Sequence, residues 1–349
     1  MLTSDRIYHF TFVFCRGPAY PPGPMTMLRA LATCLATAIL TVAAAAQAPA
    51  PAPLPTPLAP DAKFTVACAT ATLEAAPVYV TAEGPFGPRM QYINGGVRSL
   101  ANNGAHAATN ATTQMLVVLR DNPKVRLLFT LAEGMYRIVA KKSAGIAKLA
   151  DLKGKRVVVP RSTSAHYYLV AMLRSAGLGE SDVTLVTAPA DMMAAAVVRG
   201  DADAISMWEP ESENAVRALG SDAIVFQNNK VYREFFSVYS TTDVLSDRRR
   251  RSELVDFIRA LRTSTDSLRR DPTPFLPLIR KVTNHPEDQV ARSWKHHEFP
   301  FDVPADLLDI VTEEEKWVAA SQQRSARTRQ ELAGFIDRSV LAEALGTGR

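Results

Sequence analysis

The sequence predicts an α/β protein with doubly wound sheets, and three observations carry that expectation. Between Asp151 and Gln227, short apolar runs alternate with segments of helical periodicity. Arg156–Val159, Val183–Thr187, Ala204–Ser206 and Ala223–Gln227 read as strands, with Ser164–Ser175, Met192–Arg199 and Glu211–Leu219 as the helices between them. This alternation favours a parallel sheet covered on both faces. The β-branched run Val157-Val-Val159 stops at Pro160, which has no N–H for a ladder. The 349 residues, 47% hydrophobic and 21% charged, suffice for two lobes with cores of their own.

Pro160 is followed by Arg161-Ser-Thr-Ser164, then by Leu169, Met172 and Leu173 at helical spacing, with Gly177 as the stop. A helix starting just past the carboxyl end of a strand offers free N–H groups and the positive end of its dipole. Open α/β sheets bind ligands at such places. Ser162, Thr163 and Ser164 add hydroxyls there, and His166 lies in the first helical turn. The same three residues also fit a plain helix cap, and His166 also fits a half-buried filler position; both readings stand at this level. Asn110-Ala-Thr-Thr-Gln114, after the strand His106–Thr109, is a second hydroxyl-rich strand-to-helix turn. Its Asn110, Thr112 and Thr113 are candidates for a facing wall. The basic run Arg248–Arg251, near a helix start, reads as a solvated face.

Two segments carry a family resemblance. Asp151-Leu-Lys-Gly-Lys-Arg-Val-Val-Val-Pro160, followed by Ser162-Thr-Ser-Ala-His-Tyr167, is similar to the second-lobe entry of the nitrate/sulfonate/taurine family of periplasmic substrate-binding proteins. Gly200-Asp-Ala-Asp-Ala-Ile-Ser-Met-Trp-Glu-Pro210 resembles that family's Gly-x-x-Asp-Ala-x-x-x-Trp-Glu-Pro segment. The resemblance implies a type II periplasmic-binding-protein fold, with two doubly wound lobes joined by two crossing strands. Tyr136–Ala140 and Phe235–Ser240 are read as those strands, which puts residues 61–138 plus 240–349 in one lobe and 139–239 in the other. It implies a ligand cleft between the lobes, with Thr70 and Thr72 of the loop after strand Phe64–Cys68 on the near wall. Tyr136 and Tyr239 flank that cleft. Trp208 is then a stacking face, Glu209 an acceptor for amino groups and Arg137 a fork for a carboxylate or sulfonate. Trp208 can equally pack between sheet and helix, Glu209 with Pro210 can start the next helix, and Arg137 can be a surface charge. The family's usual Gly-x-x-Asp-x-Gly run is here Asn103-Gly-Ala-His-Ala-Ala-Thr109, so the first lobe departs from the pattern.

Residues 1–24 read as an upstream extension from a misassigned start. From Met25 or Met27 onward, Arg29, the apolar stretch Ala30–Val42 and the small residues Ala43–Ala46 read as a cleaved signal peptide over residues 25–48. The Ala/Pro-rich residues 49–60 form an extended linker. Export to the periplasm follows, with Cys68 as the cysteine left after cleavage. A net charge of +5 is a mild excess and makes no case for nucleic acid. The chain has no Gly-x-Ser-x-Gly elbow, phosphate loop, dinucleotide fingerprint or His-Glu-x-x-His, and the adjacent His296 and His297 make a poor metal pair. No catalytic residue, metal or cofactor is therefore expected. The expectation is a monomeric, non-catalytic receptor handing a small anionic or heteroaromatic solute to an ABC permease in the inner membrane. Two alternatives stay open: an enzyme of thiamine-pyrimidine synthase type on the same fold, whose Cys cluster this chain lacks, and a periplasmic ligand-sensing module.

Overall fold

The computed structural model describes residues 55–69 and 72–347. The expected extension, the signal peptide, the first part of the linker and Thr70 lie outside the described residues. Among the described residues no helix is long and apolar enough to cross a membrane.

Strands β1 (Phe64–Cys68), β2 (Met90–Asn94), β3 (Ala107–Ala111) and β4 (Val125–Gly134) precede β5 (Arg137–Lys141), β6 (Arg156–Val158), β7 (Thr184–Val186), β8 (Ala204–Met207) and β9 (Ala223–Phe226). They are followed by β10 (Glu234–Thr241) and the two-residue β11 (His297–Glu298). One sheet has the order β11-β4-β10-β3-β1-β2 and the other β7-β6-β8-β5-β9. Both are mixed rather than purely parallel. In the second sheet β6, β7 and β8 run parallel, while β5 lies antiparallel between β8 and β9. In the first, β10 lies antiparallel between β3 and β4. The cause is topological. The chain leaves each lobe at the carboxyl end of a strand, so it enters the other lobe at that same end and must run against its neighbours there.

Local chemistry sets the elements. The Val157–Val158 core of β6 is fully buried, and helix Ser164–Ser175 begins four residues past Pro160. The turn after β3 is tighter than the sequence suggests: β3 continues through Ala111, and the next helix, Thr112–Val118, starts immediately. Under helix Met193–Arg199, Val139, Val158, Ile205 and Met207 form the second lobe's own core. Behind the gap between the sheets, an aromatic cluster links the lobes. Tyr167 lies 5.2 Å from Tyr232 and 5.5 Å from Trp317 of helix Leu307–Ser321, ring centre to ring centre. Each such pair adds about 0.5–1.5 kcal/mol beyond its area burial. The run Arg248–Arg251 is not simply a solvated face. Arg250 is buried and donates to the carbonyls of Pro60 and Ala62, which pins the start of the folded chain.

Candidate functional site

The carboxyl ends of β1, β3, β6 and β8 converge on a cavity of about 260 Å³. Thr72 and Glu74 reach it from the segment after β1, Arg98 from the segment after β2, and Asn110 and Gln114 from the end of β3 and the helix beyond. Thr163, Ser164 and Trp208 face them from the second sheet. Tyr136 and Glu234 come from the two passages between lobes, and Phe236 from β10. Ligands of open α/β sheets bind in this kind of crevice.

Of the residues singled out from sequence, Thr72, Asn110, Tyr136, Thr163, Ser164 and Trp208 line the cavity. No side chain caps helix Ser164–Ser175. The hydroxyl of Thr163, its N-cap residue, donates instead to the Pro160 carbonyl at 2.6 Å. Ser164 Oγ shares a 2.8 Å hydrogen bond with Tyr136 Oη and donates to Glu234 Oε1 at 3.4 Å. Ser162 lies off the cavity wall, and its backbone ties the loop in place. It holds φ +61°, a region unfavourable for a residue with a Cβ. Two bonds keep it there: its N–H donates to His166 Nδ1 at 3.2 Å, and its carbonyl accepts from Gln114 Nε2 at 2.9 Å. The second bond crosses from one lobe to the other.

The other candidates lie off the cavity wall. His166 is buried, edge-on to Trp317 at 5.2 Å, with Nε2 3.3 Å from Glu180. Burial pulls its imidazole below the ordinary range, which suits a neutral ring accepting the Ser162 N–H. His166 thus positions the loop. Thr112 and Thr113 are fully buried, because the helix starts at Thr112 and carries both side chains into its first turn. Arg137 and Glu209, read as separate contacts for a solute, are partners of each other. The guanidinium lies 2.6 Å from Glu209 Oε1 and 3.1 Å from Glu213 Oε2, with all three side chains buried. Burial raises the Glu209 carboxyl, and Arg137 beside it draws it part of the way back. Tyr239, expected to flank the cleft, is fully buried in β10.

Sequence reasoning missed the carboxylates. Glu74 and Glu234 both line the cavity, both are 2% exposed, and each has one buried oxygen, Oε2, without a hydrogen-bond partner among the described residues. Gly134, opposite Glu234 in the β4–β10 register, separates them. A methyl group there would sit 2.7 Å from Glu234 Oε2 and 3.4 Å from Glu74 Oε1, so one small volume touches both carboxyls. His297 of β11 stands behind Glu74, its Nε2 3.5 Å from Oε1 and its Nδ1 3.2 Å from the Ser293 carbonyl. Burial lowers the His297 imidazole, but the bond and charge of Glu74 outweigh it and the net shift is upward. Burial, then the Glu74 charge, push Glu234 well above the carboxylate range. A signal was present at Glu234, the one acid opening the otherwise uncharged run Glu234–Thr241.

Two α/β sheets, two chain passages and a cavity at their carboxyl ends make a periplasmic-binding-protein fold. The architecture matches the crystal structure of the periplasmic aliphatic sulphonate binding protein SsuA from Escherichia coli with a TM-score of 0.66. That match has 14% identity and covers 80% of this chain and 98% of that one. The desulfurization enzyme DSZB shares the fold at a TM-score of 0.54 and 14% identity, over 82% of this chain and all of that one. Residues 94–274, just over half of the sequence, match the NMT1/THI5 like family model, and the chain belongs to that family. It is 31% identical over 137 residues to the taurine-binding periplasmic protein of Escherichia coli K12, covering 38% of this chain and 41% of that protein. It is 34% identical over 192 residues to a protein of the same organism named for aliphatic sulfonate binding, covering 54% and 56%. The chain thus matches about half the length of these relatives.

Proposed function

We propose that this chain is the solute-binding receptor of an ABC importer, exported to the periplasm by a cleaved leader and mature from near Gln47. The lobes are taken as residues 61–138 plus 240–349 and residues 139–239, apart from the crossing strands, of which β5 belongs wholly to the second sheet and β10 to the first, and the chain works as a monomer without catalysis. The observation that carries the reading is a cavity walled by both lobes and bridged across by Gln114 Nε2 and the Ser162 carbonyl at 2.9 Å. A bond of this kind exists only while the lobes are closed, and a receptor presents its closed form to a permease. The names of the curated relatives support a periplasmic binding role. Burial pushes the Cys68 thiol up to about 12, which argues against thiolate chemistry at that residue.

The test joins thermal unfolding with small-angle scattering, using taurine, propanesulfonate, benzamidine and 4-aminopyrimidine as probes. A bound solute should stabilise the fold, by about 2.7 kcal/mol at 100 times its Kd, and should reduce the radius of gyration. Binding without narrowing sinks the closing receptor. Conversion of a bound solute, seen by mass spectrometry, sinks the non-catalytic reading. Unimpaired solute uptake in cells lacking the protein sinks the import role and leaves sensing.

A further inference from the structure

The chemistry of the cavity points away from a solute whose polar group is an acid alone. We infer that the solute presents a hydrogen-bond-donating nitrogen, as an ammonium, amidine or amino-heterocycle, to the Glu74–Glu234 pair, with a flat or apolar body against Trp208 and Phe236. The inference rests on the receptor reading above and adds the class of ligand.

Three observations carry it. The first is charge. Glu74 has His297 behind it, whereas among the described residues no Lys, Arg or His pairs with Glu234. The cationic side chain on the cavity wall is Arg98, which is solvent-exposed. An acidic solute would set its negative charge beside a carboxyl that no cation balances, whereas a cationic solute supplies the missing partner. The second is the pair of orphan oxygens. Among the described residues Glu74 Oε2 and Glu234 Oε2 are buried without a partner, both side chains line the cavity, and the volume beside Gly134 touches Glu234 Oε2 and Glu74 Oε1. Once ionised, a carboxylate can only accept, so the partner that satisfies the pair in that form is a donor, and a buried acceptor left unpaired is costly. The third is the start of helix Ser164–Ser175. Its positive end is where a bound anion would be expected, yet Glu234 Oε1 already accepts from the Ser164 hydroxyl there. The protein's own carboxylate holds the place of an anion. Trp208, Phe236 and Tyr136 then offer aromatic faces to the rest of the solute, a setting that favours organic cations and flat rings.

Matched pairs of solutes test this: benzamidine against acetophenone, taurine against ethanesulfonate, and 4-aminopyrimidine against pyrimidine. Titration calorimetry at pH 7.5 should show at least one nitrogen-bearing partner binding about tenfold or more tighter than its mate. Glu234→Gln, and separately Glu74→Gln, should cut that preference to less than threefold. Melting of each variant without ligand establishes that it is folded. A second readout is independent of the variants. Repeating the titration in two buffers of different ionisation enthalpy should show proton release when the nitrogen-bearing solute binds, as a cation draws Glu234 into its ionised form against Glu74, His297, Tyr136 and Glu314. Ethanesulfonate or acetophenone binding as tightly as its nitrogen-bearing mate, with no proton release, means that a protonated Glu234 donates to an acid or carbonyl oxygen. That result overturns the ligand class and leaves the receptor intact. No binding by any of the six solutes overturns both.

Discussion

Replacing Arg137 by Met decides whether this residue holds the solute or the fold. The guanidinium lies 2.6 Å from Glu209 and 3.1 Å from Glu213, with side-chain exposures of 7%, 1% and 11%. Removing one member of a buried ion pair costs about 3–5 kcal/mol, because the remaining charge stays desolvated. Arg292 is still 3.3 Å from Glu213, so the deficit falls mainly on Glu209 and the expected loss is at the lower end, about 3 kcal/mol at pH 8. Burial already raises the Glu209 carboxyl, and losing Arg137 raises it further. An acid whose folded pKa is raised contributes stability below its unfolded pKa and loses it as pH climbs through the folded value. The variant should therefore lie close to the parent near pH 4.5 and well below it at pH 8. Urea unfolding at the two pH values measures both. The double variant Arg137→Met, Glu209→Gln should recover most of the loss. A deficit under 1 kcal/mol at pH 8, or one equal at both pH values, refutes this account. Unchanged stability with weakened solute binding would return Arg137 to the cavity.

Three further outcomes follow from the same geometry. Gly134→Ala puts a methyl group 2.7 Å from Glu234 Oε2, so calorimetry should show affinity falling at least about tenfold, with the melting temperature little changed because the nearest atom ends a flexible chain. Gln114→Ala removes the bond across the lobes; worth about 0.5–1.5 kcal/mol, its loss should weaken binding two- to tenfold and shift the scattering of the unliganded protein toward a larger radius. Burial pushes Glu314 up to about 7, with Tyr232 Oη donating to it at 2.8 Å. The folded state therefore keeps a proton there that the unfolded chain gives up near pH 4.5, and stability drains away as pH rises from 4.5 through 7. Glu314→Gln should remove that part of the pH dependence, about 3 kcal/mol, in urea unfolding across the interval.

The second lobe was legible because its elements are short, regular and bounded by strong signals. Pro160 ends β6, and helices Ser164–Ser175 and Glu211–Leu219 have the bounds their periodicity suggests. The mixed character of the sheets was not legible. Strand direction depends on which end of a lobe the chain enters, and no residue type in β5 or β10 reports that. The two residues of β11 leave no periodic signal at all; they pair with β4 only because Gly134 and Glu133 lie opposite them.

The site divides along a similar line, and the division bears on what the resemblance can teach. Ser164 and Trp208 sit in continuous motifs, so a linear reading finds them. The Arg137–Glu209 pair joins positions 72 residues apart, and the same reading mistakes two halves of one support for two ligand contacts. Glu74, Glu234 and His297 come from the beginning, the middle and the end of the folded chain, and only the sheet register beside Gly134 brings them together. The motif segments build the turn that any solute in this fold would meet. The proposed selectivity lies instead in acids outside those segments, where a single Glu is unremarkable until its burial is known. A sulfonate expectation read from the motifs and an amine expectation read from the buried carboxyls can therefore arise from one chain without conflict in the fold. The matched solutes decide between them, because the Glu234 proton leaves in the one case and stays in the other.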